Sequence, residues 1–484
     1  MSFLAKNKND IIYVSLLLFS VAISPYYRSV TSIQIKKWVG SLIGILLIII
    51  VSGYNSLHPI VSGLLGIGAI KLFTVKYCHT VTFFFMFGHL FFFRLADNFG
   101  LPLPSGQTNL IQMIIVFRVV GVAFDINGSW LAIAKGKKNE YKDKTGRYSQ
   151  DRDDDFLEII QPSVVDIFHY TFNYIGLLTG PYYTYRTFDD YFHLPFSKCV
   201  DCFGFTINTL KGVPVFISLY LALSNIWPLE YILTEEHHNR NFVYRMFYPW
   251  ILFAAFRQRI YSGMTLAQSV CTAAGLGAYP VEGRNRTSHG PTVGYLKLKQ
   301  MSEEQAKNVQ YDFKTVESMD LWGCETCITM RDSMKVWNKA VQYWVATVVY
   351  KRFPFTPLKL HAALFISVIW HGFHPGYFFC LYFNPFYLLA EDIYYKLYYK
   401  DATGAKKKIV GFIMWFLRSH SESYQAAAFL LLTFDRIWIY YSSMYHYWYG
   451  VWLVFLILGI ILKQVHNLKK SKKDSVETKK DKVN

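Results

Sequence analysis

Charge is scarce in this sequence: Asp, Glu, Lys and Arg make up 17% of its 484 residues, against 52% hydrophobic and 18% aromatic. So little charge on so apolar a chain places it outside the soluble globular class. Acidic residues are the scarcer sign, with 33 Asp and Glu against 50 Lys and Arg, for a formal net charge of +17. That surplus does not read as a nucleic-acid footprint. The cations fall between apolar runs and in the C-terminal tail, where they set topology and meet anionic lipid, and no basic face is left over.

Several chemical signatures are missing too. There is no Gly-rich phosphate loop and no GxSxG nucleophile elbow, so nucleotide hydrolysis and a serine nucleophile are unsupported. Close histidine pairs occur only at His237/His238 and His371/His374, too few for a histidine-box metal oxygenase. Of seven cysteines, Cys199/Cys202 and Cys324/Cys327 form CxxC pairs, but they lie too far apart for a zinc ribbon, and no metal is expected. They read as free thiols, or as a disulfide if one pair is lumenal. The first apolar run follows Lys6, Lys8 and Asp10 without a secretory cleavage pattern and is expected to be kept as an anchor. A transporter would show paired broken helices in two related halves, and no internal repeat is seen.

What is present is a series of apolar windows of membrane-crossing length, near 11–25, 39–53, 57–74, 76–95, 109–125, 163–180, 208–227, 243–275, 335–350, 359–372, 374–395, 424–441 and 444–462. Several are short or broken. They predict an all-α polytopic integral membrane protein with about eleven transmembrane helices plus re-entrant or interfacial helices. We expect one membrane domain over 1–462 and a lysine-rich, disordered, cytosolic tail over 463–484. Three polar stretches interrupt the apolar mass: a charge-mixed loop at 133–160, a stretch at 276–334 whose segment EEQAKNVQYDFKTVESMDLW reads as an interfacial helix, and the tail. The tail places the C-terminus in the cytosol by the positive-inside rule, in agreement with Lys396, Lys400, Lys406, Lys407, Lys408 and Arg418. Its end, Lys480-Asp481-Lys482-Val483-Asn484, fits a dilysine address for the endoplasmic reticulum. Sequons occur at Asn127 and Asn285, and the expected topology puts Asn285 on the lumenal side.

One titratable residue stands out at the junction of two apolar runs: His371, in Trp370-His371-Gly372-Phe373-His374-Pro375-Gly376-Tyr377. An ionisable group at membrane depth is by default a functional-site candidate. The turn Lys351-Arg352-Phe353-Pro354 is expected on the cytosolic side, with spans 335–350 and 359–372 rising from it. Each arm carries a polar residue about 20 Å from the turn, Asn338 on one and His371 on the other. A neutral imidazole accepts a proton and a carboxamide donates to an oxygen gaining charge, the minimum equipment for acyl transfer. Taken alone, each is equally a packing group or a helix–helix hydrogen bond; the matched depth is what favours function. A second polar cluster, Thr179-Gly180-Pro181-Tyr182-Tyr183-Thr184-Tyr185-Arg186, follows a Gly-Pro break and either faces a cavity or forms an aromatic belt with a snorkelling arginine.

At these residues the sequence resembles the membrane-bound O-acyltransferase family, and within it the lysophosphatidylinositol acyltransferase branch. The resemblance runs over nearly the whole chain and is most specific in GLLTGPYYTYRTFDDY (176–191), FRQRIYSGMTLAQSVCTAAGLGAYP (256–280), MKVWNKAVQYWVATVVYK (334–351) and WHGFHPGYF (370–378). The 281–310 loop and the tail look less like the family. The resemblance implies a buried catalytic tunnel, residence in the endoplasmic reticulum membrane and an acyl-CoA co-substrate with no cofactor. It implies reacylation of a lysophospholipid sn-2 hydroxyl, lysophosphatidylinositol with arachidonoyl-CoA, as in phospholipid remodelling. His371 and Asn338 take the family's paired histidine and asparagine. Trp337, Trp370, Tyr182, Tyr185 and Tyr377 then wall the chamber, Arg186 meets an anionic group, and Lys351 and Arg352 meet the phosphates of the donor. His374, Gly372 and Gly376 support the site, the glycines by close backbone approach. Lysophosphatidylcholine or lysophosphatidylserine as acceptor, acylation of a protein, and a non-catalytic transporter stay open, as does the oligomeric state.

Overall fold

The computed structural model describes residues 8–134 and 159–480, with side chains as far as Leu468. The chain is helical almost throughout; the only strands among the described residues are the two-residue antiparallel pair Tyr279–Pro280 and Tyr311–Asp312. Among the described residues, five helical stretches are long and apolar enough to cross a membrane: Lys8–Ser29, Ile33–Leu72, Gly106–Ala134, Cys202–Leu233 and Tyr447–Leu468. This is a multi-pass membrane protein, although the count of about eleven spans is not reached by uninterrupted helices.

Several of the apolar windows are locally broken. In window 163–180 only Val164–Phe172 is helical, and the chain from Asn173 to Thr184 is irregular yet almost wholly buried. In window 335–350 a helix ends at Val336, Asn338 takes a left-handed conformation, and helix resumes at Lys339. The π-helical segment Ala346–Tyr350 follows, and two more interrupt window 374–395 and its continuation, at Phe378–Tyr382 and Tyr395–Tyr399. The expected interfacial helix at 303–322 is likewise broken, into Glu303–Lys307, a strand, a 3-10 turn and Leu321–Thr326.

By packing, the chain forms two compact units. The first comprises Met1–Ser218, Gln258–Asp320 and Asn338–Phe373; the second comprises Leu219–Arg257, Leu321–Trp337 and His374–Asn484. The core of the first surrounds helix Gly106–Ala134, in which every residue from Ile111 to Phe124 is buried. In the second, helix Gly404–Leu431 runs unbroken from the lysines at 406–408 into a core with Tyr424, Tyr440 and Tyr441. Arg418, read above as a topological cation, is buried there and binds the Cys324 and Glu325 carbonyls and Glu422. The tail also departs from expectation, because helix Tyr447–Lys480 continues through most of it; lysine has good helix propensity. The last four residues of the dilysine pattern, and the loop reading for 135–158, lie outside the described residues.

All seven cysteines are free thiols, and no group of three metal-ligating side chains occurs among the described residues. Both sequon asparagines are buried with their amide nitrogens engaged. Asn127 Nδ2 donates to the Val75 carbonyl at 3.0 Å, and Asn285 Nδ2 donates to Asp312 at 2.9 Å and to the Pro280 carbonyl. A glycan on either nitrogen would displace these bonds.

Candidate active site

The irregular segment 173–184 explains how backbone survives at this depth without a helix. Unpaired carbonyls in an apolar interior are costly, and one fully buried guanidinium gathers them. Arg118, on helix Gly106–Ala134, donates to the carbonyls of Tyr170, Thr171, Asn173 and Ile175 at 2.5 to 3.2 Å and to the Tyr183 hydroxyl at 3.0 Å. A cation at the C-terminal end of helix Val164–Phe172 also complements its dipole. The Tyr170 hydroxyl donates to the Tyr183 carbonyl, Ser288 to that of Tyr182, and Tyr13 to that of Leu178. Sequence reading missed Arg118. A lone arginine inside an otherwise apolar span was the available signal.

This frame buries Tyr182, Tyr185 and Arg186 and turns none of them to lipid. The Tyr182 ring reaches helix Gly106–Ala134 at Gly121, where a Cβ would stand 2.4 Å from its hydroxyl. Tyr185 packs edge-on to Tyr170 at 5.7 Å. Arg186 is drawn into the 276–320 region, where it donates to the His289 and Pro291 carbonyls and to His289 Nδ1 and lies 4.6 Å over the Tyr295 ring. Burial, reinforced by Arg186, pushes the His289 imidazole down to about 3, so it is neutral and accepts through Nδ1. Asp190 anchors the same region by accepting from the hydroxyls of Tyr279 and Tyr295 at 2.6 and 2.8 Å.

The arms predicted for Asn338 and His371 form a hairpin within the first unit. Helix Lys339–Val345 with its π-helical continuation packs against helix Lys359–His371, joined through the turn at 351–358. Asn338 begins one arm and His371 ends the other, so both sit at the end of the hairpin opposite the turn. Asn338 has φ 36° and ψ 61°, a region asparagine tolerates better than most residues. Its side-chain oxygen accepts from Val341 N at 3.4 Å as the helix cap, leaving the carboxamide nitrogen with no hydrogen bond among the described residues.

Two aromatic clasps fix the hairpin to helix Gly106–Ala134. Phe117 is stacked by Trp344 from one arm, at 4.4 Å, and by Trp370 from the other, at 4.7 Å with rings 7° from parallel. Trp344 Nε1 also donates to the Phe117 carbonyl at 3.0 Å. Each stacked pair contributes about 1 kcal/mol beyond its buried area. Arg94, ending helix Cys78–Arg94, donates to the carbonyls of Trp370 and His371 and caps the helix that carries the histidine. It too was missed by sequence reading, which saw only the end of an aromatic run. His371 is half-buried, its ring 4.9 Å from that of Trp370. Gly372 follows with φ 147°, so its role is conformational.

At the turn, Lys351 and Arg352 are exposed, and Arg352 donates to the Phe124 carbonyl at 3.4 Å and lies 4.8 Å over the Phe124 ring. Trp337, His374, Gly376 and Tyr377 belong to the second unit. There Trp337 closes helix Met330–Val336 with its ring 6.3 Å from Phe253, and the His374 ring lies 5.7 Å from that of Tyr377. Gly376 does make a close backbone approach, since a Cβ would meet the Ala428 carbonyl oxygen at 2.1 Å. A small apolar cavity of about 40 Å³ in this unit, lined by Tyr387, Met414, Trp448, Trp452 and Phe455 among others, contains no candidate site residue.

Comparison with known proteins bears on this geometry. Residues 68–434, which include both Asn338 and His371, match the model of the membrane-bound O-acyltransferase family. The chain is 41% identical over 459 residues to a membrane-bound acylglycerophosphatidylinositol O-acyltransferase of Drosophila melanogaster, covering 94% of this chain and 92% of that one. It is 31% identical to the Xenopus laevis protein of that description, covering 98% of both, and 30% identical to that of Homo sapiens, covering 93% of both.

Proposed function

The chain belongs to the membrane-bound O-acyltransferase family, and from this we infer that it transfers an acyl group from acyl-CoA to the sn-2 hydroxyl of lysophosphatidylinositol. The observation that carries the reading is the hairpin that brings Asn338 and His371 to one end and is clasped on Phe117 by Trp344 and Trp370. The relatives' descriptions as acylglycerophosphatidylinositol O-acyltransferases supply the headgroup.

In this mechanism His371 removes the proton of the acceptor hydroxyl as its oxygen attacks the thioester carbonyl. The amide nitrogen of Asn338 donates to the carbonyl oxygen as it gains negative charge, a contribution of about 3 kcal/mol for one such donor. Collapse of the intermediate breaks the carbon–sulfur bond, and the imidazolium returns its proton to the departing CoA thiolate. The donor enters from the turn, where Lys351 and Arg352 meet its phosphates, with Tyr182 and Trp370 walling the way inward. Arg186, whose guanidinium is committed to the 289–291 carbonyls, holds that wall. No cofactor is needed, because acyl-CoA is consumed as co-substrate. The protein resides in the endoplasmic reticulum membrane with its C-terminus in the cytosol, and arachidonoyl is its preferred chain.

The test is transfer by purified protein from arachidonoyl-CoA to an equimolar mixture of lysophosphatidylinositol, lysophosphatidylcholine and lysophosphatidylserine. Phosphatidylinositol is expected to dominate, with product lost in His371→Ala. Product on another headgroup would reassign the acceptor. No product, or none lost in the variant, would overturn the mechanism.

A further inference from the structure

Asp125 is a carboxylate, left unused by the mechanism above, in the most buried of the five membrane-length helical stretches. Every residue from Ile111 to Phe124 is buried, and Asp125 is the first on that run with accessible surface. Among the described residues no side chain or backbone group hydrogen-bonds or ion-pairs with its carboxylate. An acid at this depth without a protein partner calls for a ligand that donates hydrogen bonds.

Its position says which ligand. Phe117, Gly121 and Asp125 recur every four residues and share one helix face. Phe117 carries Trp370, the neighbour of His371, and Gly121 carries the Tyr182 hydroxyl. Asp125 lies one turn further on, about 12 Å along the axis from Phe117. The residue before it, Phe124, receives Arg352 from the turn. The charges acting on Asp125 are the guanidiniums of Arg352 and Arg186, and it acts in turn on the hydroxyls of Tyr170, Tyr182 and Tyr343. Asp125 therefore stands between the cationic turn and the histidine, on the wall that Tyr182 shares.

We propose that Asp125 is a donor-binding residue that accepts hydrogen bonds from the pantetheine arm of acyl-CoA, on its way from Arg352 to His371. This rests on the reading of the chain as an acyl-CoA-dependent enzyme with its donor entering at the turn. A carboxylate repels phosphate and gains nothing from a hydrocarbon tail. The stretch between them carries two amide N–H groups and a hydroxyl, the donors that an unpaired carboxylate needs. Negative charge beside Arg352, at the level of Phe124, also keeps the phosphates from sliding deeper.

The test compares three donors with lysophosphatidylinositol as acceptor: arachidonoyl-CoA, S-arachidonoyl-pantetheine and an S-arachidonoyl alkanethiol that lacks both amides. Asp125→Leu is expected to raise KM about tenfold or more for the first two, and the deficit should disappear for the third. Arg352→Ala should weaken use of arachidonoyl-CoA alone. A deficit equal for all three donors, one confined to the KM of lysophosphatidylinositol, or none at all would overturn the proposal. If Asp125→Leu does not fold, Asp125→Asn and the wild-type donor series decide. Wild-type kcat/KM that does not distinguish the pantetheine thioester from the alkanethiol thioester sinks the idea. Wild type inactive with every donor would instead remove the acyltransferase reading itself, and the proposal with it.

Discussion

Two neighbouring parts of the first unit solve the problem of polar groups at membrane depth in opposite ways. The segment 173–184 abandons regular structure and relies on side chains, above all Arg118, to satisfy its carbonyls. The hairpin from Asn338 to His371 keeps its backbone bonds mostly within helices and spends its polar side chains at the ends. In the irregular segment the polar groups that can be traced are tied to one another, whereas the helix-capping geometry of Asn338 leaves an amide nitrogen available. Rigidity in the first region makes a wall; helix ends in the second carry the candidate pair Asn338 and His371.

The largest effect is expected at Arg118. Arg118→Met strands several buried carbonyls at once, a loss of about 3 kcal/mol or more. The expected result is poor recovery of monodisperse protein in detergent and a large fall in Tm, with activity lost for that reason; a Tm within a few degrees of wild type would show that the segment holds itself. Next comes Asn338→Ala, expected to cut kcat by about a hundredfold or more while loss of the cap lowers Tm by only a few degrees and retention on size exclusion stays near wild type. If Tm collapses in step with kcat, Asn338 acts only as a cap and not as an oxyanion donor.

Phe117→Ala sharpens the comparison from the packing side. Removing the ring that Trp344 and Trp370 share costs about 3 to 5 kcal/mol of local packing without touching a polar group. Because the hairpin keeps its own backbone bonds, the expected outcome is a folded protein with kcat/KM reduced about tenfold. Unaltered kcat/KM would mean that Arg94 and the helix contacts suffice to hold His371.

Much of the candidate site can be read along the chain. His371 and Asn338 are polar residues at matched positions on two apolar runs that share a basic turn, and Gly180-Pro181 announces a break. The remainder depends on groups distant in sequence. Nothing near residue 118 indicates that its guanidinium serves carbonyls at 170–175, and nothing near residue 94 that it caps the helix ending at 371. Asp125 looks like an ordinary charge at the edge of a span until Gly121, Tyr182 and Arg352 are placed around it. The window at 163–180 misleads for the same reason, since hydropathy reports burial and not whether buried backbone is helical. The expected interfacial helix at 303–322 fails because the glycine-rich turns before it and the pairing of Tyr279–Pro280 with Tyr311–Asp312 compete with a weak helical period.

By itself the sequence determined that this chain lives in a membrane, that it is helical, and that a histidine and an asparagine lie at similar depth. Composition and hydropathy are sums over neighbouring residues, and depth along a helix is a count of residues from a turn. Only the tertiary structure decided which helices break, which arginine satisfies the broken backbone, and which carboxylate is left to receive a ligand. Those outcomes hang on hydrogen-bond partners separated by tens to hundreds of positions, and a buried polar group's energy is set by its partner rather than by its own identity.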